Sequence, residues 1–396
     1  MWITNGLHNS FLAGIFKHME KKPNKITRYT ACNLLVFSLI LMACASLKLK
    51  WQPETGFDEW RQFGKTPQHT NTVNDSIQFP MTKKWEHKTS LAVGPSLIAF
   101  NDAVFFHTYD GKIKAVAISS GKDIGTLKLK KKQVGTFAFA DSTLVIVRRQ
   151  WQPALERYHL QRGETMWKNN GGNSFAEPLI TNDRIYVAYQ QKKLICYKLE
   201  NGEMDWSADL PSPSHTTPTW ANGKVVVGTN QGTLYAVQKG NIKWSFPTGG
   251  ALRASATCFN GTIFAGSTDG IFYALNAETG KKIWSFKTKG KIYQTAAIHG
   301  QNIIFGATDH TLYCLNRRTG KPVWTFTASS VISTNPVSAR NAIFVGSLDK
   351  NLYAIDPANG KKIWSFTAEG RIRTHPIILN RKVLFGSEEE RIYCFE

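Results

Sequence analysis

The chain has 396 residues with 42% hydrophobic and 12% aromatic content, and its 49 Lys and Arg against 28 Asp and Glu give a net charge of +21. These figures describe a folded globular protein and exclude a disordered tail, a collagen-like rod and a multi-span membrane protein; six cysteines are too few for a disulfide scaffold. Residues 1–44 carry a net +4, from Lys17, Lys21, Lys22, Lys25 and Arg28 against Glu20, so +17 belongs to residues 45–396.

Asn33 to Ala43 reads NLLVFSLILMA, an apolar run short of a bilayer span and preceded by basic residues, the pattern of a secretory signal. It ends in Leu41-Met42-Ala43-Cys44, which resembles the lipobox of bacterial lipoproteins. That resemblance implies cleavage after residue 43 and a diacylglyceryl group on the Cys44 thiol, each buried CH₂ holding the chain to a membrane by about 0.8 kcal/mol. An uncleaved signal anchor is the alternative, since no charge lies between Arg28 and Lys48, and Met19 is an alternative start. In a host with two membranes, Ala45 in place of Asp after the Cys implies sorting to the outer one; otherwise the anchor sits on the outer face of the cell membrane. Residues 44–80, with Pro53, Gly56, Gly64 and Pro67, read as the lipidated Cys, a tether and a lead-in.

From residue 81 the chain repeats itself. Trp85, Trp167, Trp206, Trp244, Trp284, Trp324 and Trp364 are spaced 39, 38, 40, 40 and 40 after Trp167, and the gap before Trp167 holds two periods, with Gly125 where a Trp would stand. From Trp167 onward each Trp has a Gly four residues ahead of it, Gly163 through Gly360. Within a period, four short β-branched and aromatic runs are closed by Gly, Asn, Asp or Pro turns, and outside the signal no window of a dozen residues has helical periodicity. Four strands per period of about 40 predict a propeller blade, and eight periods predict an all-β, eight-bladed β-propeller over residues 81–396. The chain ends at Glu396 after three strands of the last blade, so Lys83-Lys84-Trp85-Glu86-His87 is expected to supply the fourth and close the ring.

The unit Gly-Ser-x-Asp-Gly-x-x-Tyr-Ala-Leu-Asn-Ala-x-Thr-Gly-Lys-x-x-Trp over Gly266–Trp284, with the opener Trp60-Arg-Gln-Phe-Gly, resembles the PQQ-like repeat. The family includes quinoprotein dehydrogenases and binding-only propellers, so it implies fold more than activity. The dehydrogenases add long insertions, adjacent cysteines, a Ca²⁺ site and a catalytic Asp; here the blades have minimal length and no two cysteines are adjacent. The acids fall in turns, as do Asp269, Asp309 and Asp349, and only Glu177 heads an inner strand, whereas a Ca²⁺ cage needs six to eight oxygens. No His-x-x-x-His or Cys-x-x-Cys spacing points to zinc. The expectation is no enzyme, no metal and no quinone cofactor, with Cys196, Cys258, Cys314 and Cys394 as buried inert thiols.

Loops presented by a rigid scaffold are where function sits. Aligning the loops that enter each inner strand gives Val93, Thr136, Phe175, His215, Arg253, Tyr293, Ser333 and Arg373 as a ring around the channel mouth. Glu177 and His375 stand two residues further on, and His215 and His375, in opposite blades, are expected to face one another across the channel. The candidate partner-binding rim is therefore Phe175, Glu177, His215, Arg253, Tyr293, Arg373 and His375, aromatic and Arg residues being what protein hot spots use. Eight bare blades behind a lipobox are similar to the propeller lipoproteins of outer-membrane barrel assembly, which implies docking on the barrel-assembly subunit or another envelope protein. The acidic pair of that group would fall near Pro213 and His215, ahead of Thr216-Thr217-Pro218, and neither residue is acidic. A small-ligand-binding or sensory propeller and a PQQ-dependent dehydrogenase relative are the alternatives. Lys128, Lys130, Lys131, Lys132, Arg148 and Arg149 read as charged edge protection, or else as a contact for anionic lipid or lipopolysaccharide. Nucleic acid is not an expected partner of an exported chain.

Overall fold

Alternating β-branched and aromatic residues between Gly and Asn turns build the same four-stranded antiparallel sheet eight times over. The structure is a computed structural model that describes residues 59–129, 135–148 and 154–396; the signal, Cys44, Lys130, Lys131, Lys132 and Arg149 lie outside the described residues. Blades 1 to 7 take their strands in chain order from the inside out. In blade 5 these are Thr257–Phe259, Thr262–Gly266, Ile271–Asn276 and Lys282–Lys287. Blade 8 is built from both ends of the described chain. Its inner strands Ile377–Leu379, Lys382–Ser387 and Arg391–Phe395 are completed by Lys83–Lys88, with Trp85 opposite Cys394. Thr82 and Glu396 exchange backbone hydrogen bonds of 2.8 and 3.0 Å, and Arg391 pairs with Glu86 across the seam. The eight-bladed propeller and its closure by the N-terminal strand are as the sequence predicts.

The repeated Trp and Gly act between blades. A bulge recurs where the third strand meets the Trp strand, as between Ala274 and Leu275 opposite Trp284, and re-aims the indole. The Trp284 Nε1–H donates to the Arg317 carbonyl of blade 6 at 3.1 Å, and Trp324 to that of Pro357 in blade 7 at 2.8 Å. Gly320, at φ +71° in that next-blade turn, lies flat on the Trp284 ring; a Cβ there would come within 2.6 Å of it. The Gly therefore serves the preceding blade's Trp as well as its own turn. Trp364 has no such turn to cap, because the outer strand of blade 8 is Lys83–Lys88 rather than a continuation of Arg391–Phe395, and it packs edge-on against Phe395 at 5.2 Å. A second recurring Gly ends the second strand: a Cβ on Gly266 would strike Ile292 Cγ2 at 2.2 Å, and Gly306 meets Ile332 in the same way.

Each inner strand leaves one backbone edge facing the channel, and such donors need partners when buried. Residues 60–75 supply them blade by blade. Trp60 and Ala99 exchange two backbone bonds in blade 1, and the amides of Phe139 and Ile180 donate to the Arg61 carbonyl and to Gln62 Oε1 in blades 2 and 3. Those of Trp220, Cys258 and Ile298 donate to the carbonyls of Pro67, Gln68 and Thr70 in blades 4, 5 and 6. The Ser338 and Arg340 amides of blade 7 reach Asn71 and Asp75, and the Arg381 amide of blade 8 reaches Asp75 Oδ2 at 3.1 Å. Trp60, Val73, Ile77 and Met81 join the hydrophobic core of the neighbouring blades. The lead-in, expected to precede the ring, is its inner lining from residue 60 onward. It runs antiparallel to blade 1 at Trp60 and parallel to blade 7 at Thr72, so it enters and leaves through one face, the lower face, which carries the turns that follow the inner strands.

Candidate functional site

The opposite, upper face carries the loops that enter the inner strands. These loops are tied down by hydroxyls: Ser214 Oγ donates to the Gly228 carbonyl at 2.7 Å, and Thr216 Oγ1 accepts the Gly228 amide at 2.9 Å. Ser174 likewise holds the Ala188 carbonyl at 2.8 Å. Fixing the flanking residues leaves Phe175 and His215 as the side chains presented at the mouth.

Phe175, His215 and Arg253, from blades 3, 4 and 5, come together. The Phe175 and His215 rings meet edge to face at 5.0 Å, and Phe175 is 38% exposed. Arg253 Nη1 donates to His215 Nδ1, and His215 Nε2 lies 3.0 Å from Gln190 Oε1. A neutral imidazole with its proton on Nε2 satisfies both contacts. Tyr293, 42% exposed, continues the series in blade 6. The result is an aromatic and guanidinium surface on a rigid wall, suited to burial against another protein. Gln190 was not legible in the sequence, since it occupies an ordinary turn between second and third strands. Leu91 and Tyr109, exposed and adjacent on blade 1, form a second apolar spot on the same face that repeat alignment missed.

Three expected members take other places. Glu177 is buried, and its carboxylate accepts from Ser96 Oγ at 2.6 Å and Thr217 Oγ1 at 2.7 Å, tying blades 1, 3 and 4 together beneath the rim. His375 is turned into the wall, where its Nδ1 accepts the Asn335 amide at 3.0 Å, so it does not face His215 across an open channel. Arg373 stays exposed on blade 8 but is paired with Glu388, apart from the cluster on blades 3 to 6. The basic cluster expected around blades 1 and 2 also changes, because Arg148 is buried in an ion pair with Glu156 at 2.6 Å.

Burial sets the chemistry of the remaining titratable groups. His69, in the channel lining between the Ala256 carbonyl and Thr219 Oγ1, and His375 both have their pKa lowered to about 4 by desolvation. Burial pushes the Cys196, Cys314 and Cys394 thiols up to about 12, far from a reactive thiolate. Asp269, Asp309 and Asp349 each accept from a Tyr hydroxyl four residues on, at 2.7 Å, and cap their own turns. Among the described residues no group of three His, Cys, Asp or Glu is arranged to hold a metal ion.

Known proteins share this architecture. A BamB structure from Moraxella catarrhalis superposes with a TM-score of 0.69 at 17% identity, covering 80% of this chain and 99% of that one. The quinohemoprotein alcohol dehydrogenase of Comamonas testosteroni gives 0.71 at 11% identity, covering 85% and 80%. In sequence, the outer membrane protein assembly factors BamB of Salmonella typhimurium and Escherichia coli are 26% and 25% identical over 136 residues. That is 32% of this chain, and the match spans about a third of the length of those relatives. The family profile described as outer membrane protein assembly factor BamB matches residues 110–285 and 239–396, well over half of the chain. The protein thus belongs to the BamB family of PQQ-like β-propellers.

Proposed function

We propose that the protein is an exported, non-catalytic scaffold, anchored through lipid on Cys44 to the periplasmic side of an outer membrane, that aids assembly of outer-membrane proteins by docking an envelope partner on its upper rim. The observation that carries this reading is the exposed Phe175–His215–Arg253 cluster, extended by Tyr293, on a wall whose loops are immobilised by hydroxyl hydrogen bonds. The likeness to outer membrane protein assembly factors supports the direction, and the lipobox supports the location.

A dehydrogenase reading requires room and counter-charge for pyrroloquinoline quinone, a tricarboxylate, with its Ca²⁺. Among the described residues no hollow fits that group. The channel is lined by the chain's own residues 60–75, and the cavity beside Trp60, Phe63 and His375 is about 10 Å³, room for a single water at most. Of two wider hollows on the lower face, one of about 460 Å³ lined by residues such as Thr66, Gln68, Trp220 and Phe259 has neither cation nor carboxylate, and one of about 560 Å³ beside His299, Arg340 and Asp356 offers Arg340 alone as a full cation for three carboxylates.

The test is an in-cell photocrosslink from position 253 or 293, read by affinity purification and mass spectrometry. The reading predicts a crosslinked outer-membrane assembly subunit, and Arg253→Glu should abolish its co-purification while leaving the fold intact. Crosslinks confined to unrelated envelope proteins, or co-purification untouched by Arg253→Glu, would overturn it.

A further inference from the structure

The lower face carries a pattern that the rim reading leaves unused. In blades 5, 6 and 7 the turn before the outer strand reads Gly280-Lys281-Lys282-Ile283, Gly320-Lys321-Pro322-Val323 and Gly360-Lys361-Lys362-Ile363. The fold places these three turns at the same level of successive blades, with Lys281, Lys321 and Lys361 exposed. Ile283, Val323 and Ile363 beside them are 51%, 49% and 41% exposed, although each is a large aliphatic side chain. Arg318, Arg340 and Arg381 add exposed cations on the same face.

The acids there are already engaged. Glu278 pairs with Lys224 at 2.6 Å, and Glu396 with Lys84 and Lys382 at 3.5 Å. Asp356 Oδ1 caps its own turn at the Ala358 amide, and Asp75 Oδ2 accepts the Arg381 amide. On the upper face the same blades balance their cations with Asp269, Asp309 and Asp349. Blade 3 presents Glu200, Glu203 and Asp205 at the equivalent lower turn, so the cationic sector does not continue through that blade.

We infer that the lower face of blades 5 to 7 rests on an anionic lipid surface. Three features favour lipid over an acidic protein. The cations are coplanar by repeat symmetry, as a flat phosphate layer requires. Each Lys stands next to an exposed aliphatic residue, the pairing by which surface segments engage headgroups and the acyl boundary together. The lining enters through this face at Trp60, so a lipid on Cys44 would hold it within the reach of 15 residues, at most about 50 Å. This last argument rests on the anchor of the proposed function; the first two do not. The rim on the upper face is then left turned away from the bilayer.

The test uses the full chain carrying Cys44→Ala, so that no acyl group contributes, and vesicles of phosphatidylcholine with or without 30% phosphatidylglycerol. The neutral vesicles report what the apolar part of the leader adds, and the lysine variants, which leave its basic residues untouched, separate its charge from that of the lower face. Expected is binding to the anionic vesicles that weakens with salt and falls roughly fivefold for each cation neutralised, near a hundredfold for Lys281→Gln, Lys321→Gln and Lys361→Gln together. Lys289→Gln, Lys291→Gln and Lys350→Gln on the upper face should leave it unchanged. Ile283→Ser, Val323→Ser and Ile363→Ser should weaken it without altering the salt slope. Equal binding to both vesicles, or equal losses from the two lysine sets, would overturn the inference. So would vesicle binding that survives the Lys281, Lys321 and Lys361 changes while an acidic envelope protein is lost from crosslinks in cells. Loss of the position-253 crosslink with vesicle binding intact would sink the docking reading alone.

Discussion

Acid should loosen the ring from its centre. His69 and His375 lie in the channel lining and wall, each held neutral by burial, with the folded pKa near 4 against 6.5 for an ordinary imidazole. A depressed histidine pKa means that the unfolded chain binds the proton first, so stability falls as pH drops below about 6.5 and the loss saturates near 4. Between pH 7 and pH 5 each histidine is worth about 2 kcal/mol, and the pair about 4 kcal/mol. His299, also lowered by burial, acts in the same direction. The carboxylates held low, Glu86 and Asp110 among them, titrate below this window and leave it clean. Urea unfolding followed by Trp fluorescence should show the midpoint dropping by about 1 M from pH 7 to pH 5, given the slope of a chain this size. In His375→Gln the pH-dependent part should shrink by about 2 kcal/mol, whatever the variant costs at pH 7. An unchanged pH dependence in that variant would refute a neutral, desolvated His375.

Two further substitutions test how blades adhere. Gly266→Ala introduces no backbone strain but drives a methyl into Ile292, and should cost about 1–3 kcal/mol. Combined with Ile292→Ala, the loss should fall short of the sum by about 1 kcal/mol in the same urea assay, and strict additivity would count against the contact. Trp324→Phe removes a buried hydrogen bond to Pro357 and should cost about 1 kcal/mol more than Trp364→Phe, whose indole caps no following turn. Equal losses would mean that the carbonyl contact contributes nothing.

What the sequence made legible is what blades use to hold one another. Trp284 and Gly320 recur at fixed spacing because each touches the neighbouring repeat, so selecting for the contact writes a period into the chain. The missing outer strand of blade 8 was legible for the same reason, since an unpaired Arg391–Phe395 requires a partner and Lys83–His87 has its pattern. The channel lining was hidden. Residues 60–75 engage six of the eight blades through their own backbone, and the Gln62 and Asp75 side chains make the exceptions in blades 3 and 8; backbone bonds impose no side-chain pattern. Glu177 and His375 were misplaced because repeat alignment fixes a position along a strand, not the side on which a side chain finds its partners. Ser96, which holds Glu177, is 81 residues away in sequence and unrelated to it by the repeat.

The lining has a consequence for how the chain can be made. Residues 60–75 are translated before every strand they bond to, and Lys83–Lys88 pairs with Arg391–Phe395, the last strand of the described residues. Neither lining nor seam can be completed until Arg391–Phe395 has emerged, which makes closure an event of very long sequence separation. A nascent chain of this design stays unclosed whatever its early blades have done. Loss of the final six residues, Arg391 to Glu396, would therefore be felt first at the opposite end of the sequence, where the N-terminal strand would be left without a partner.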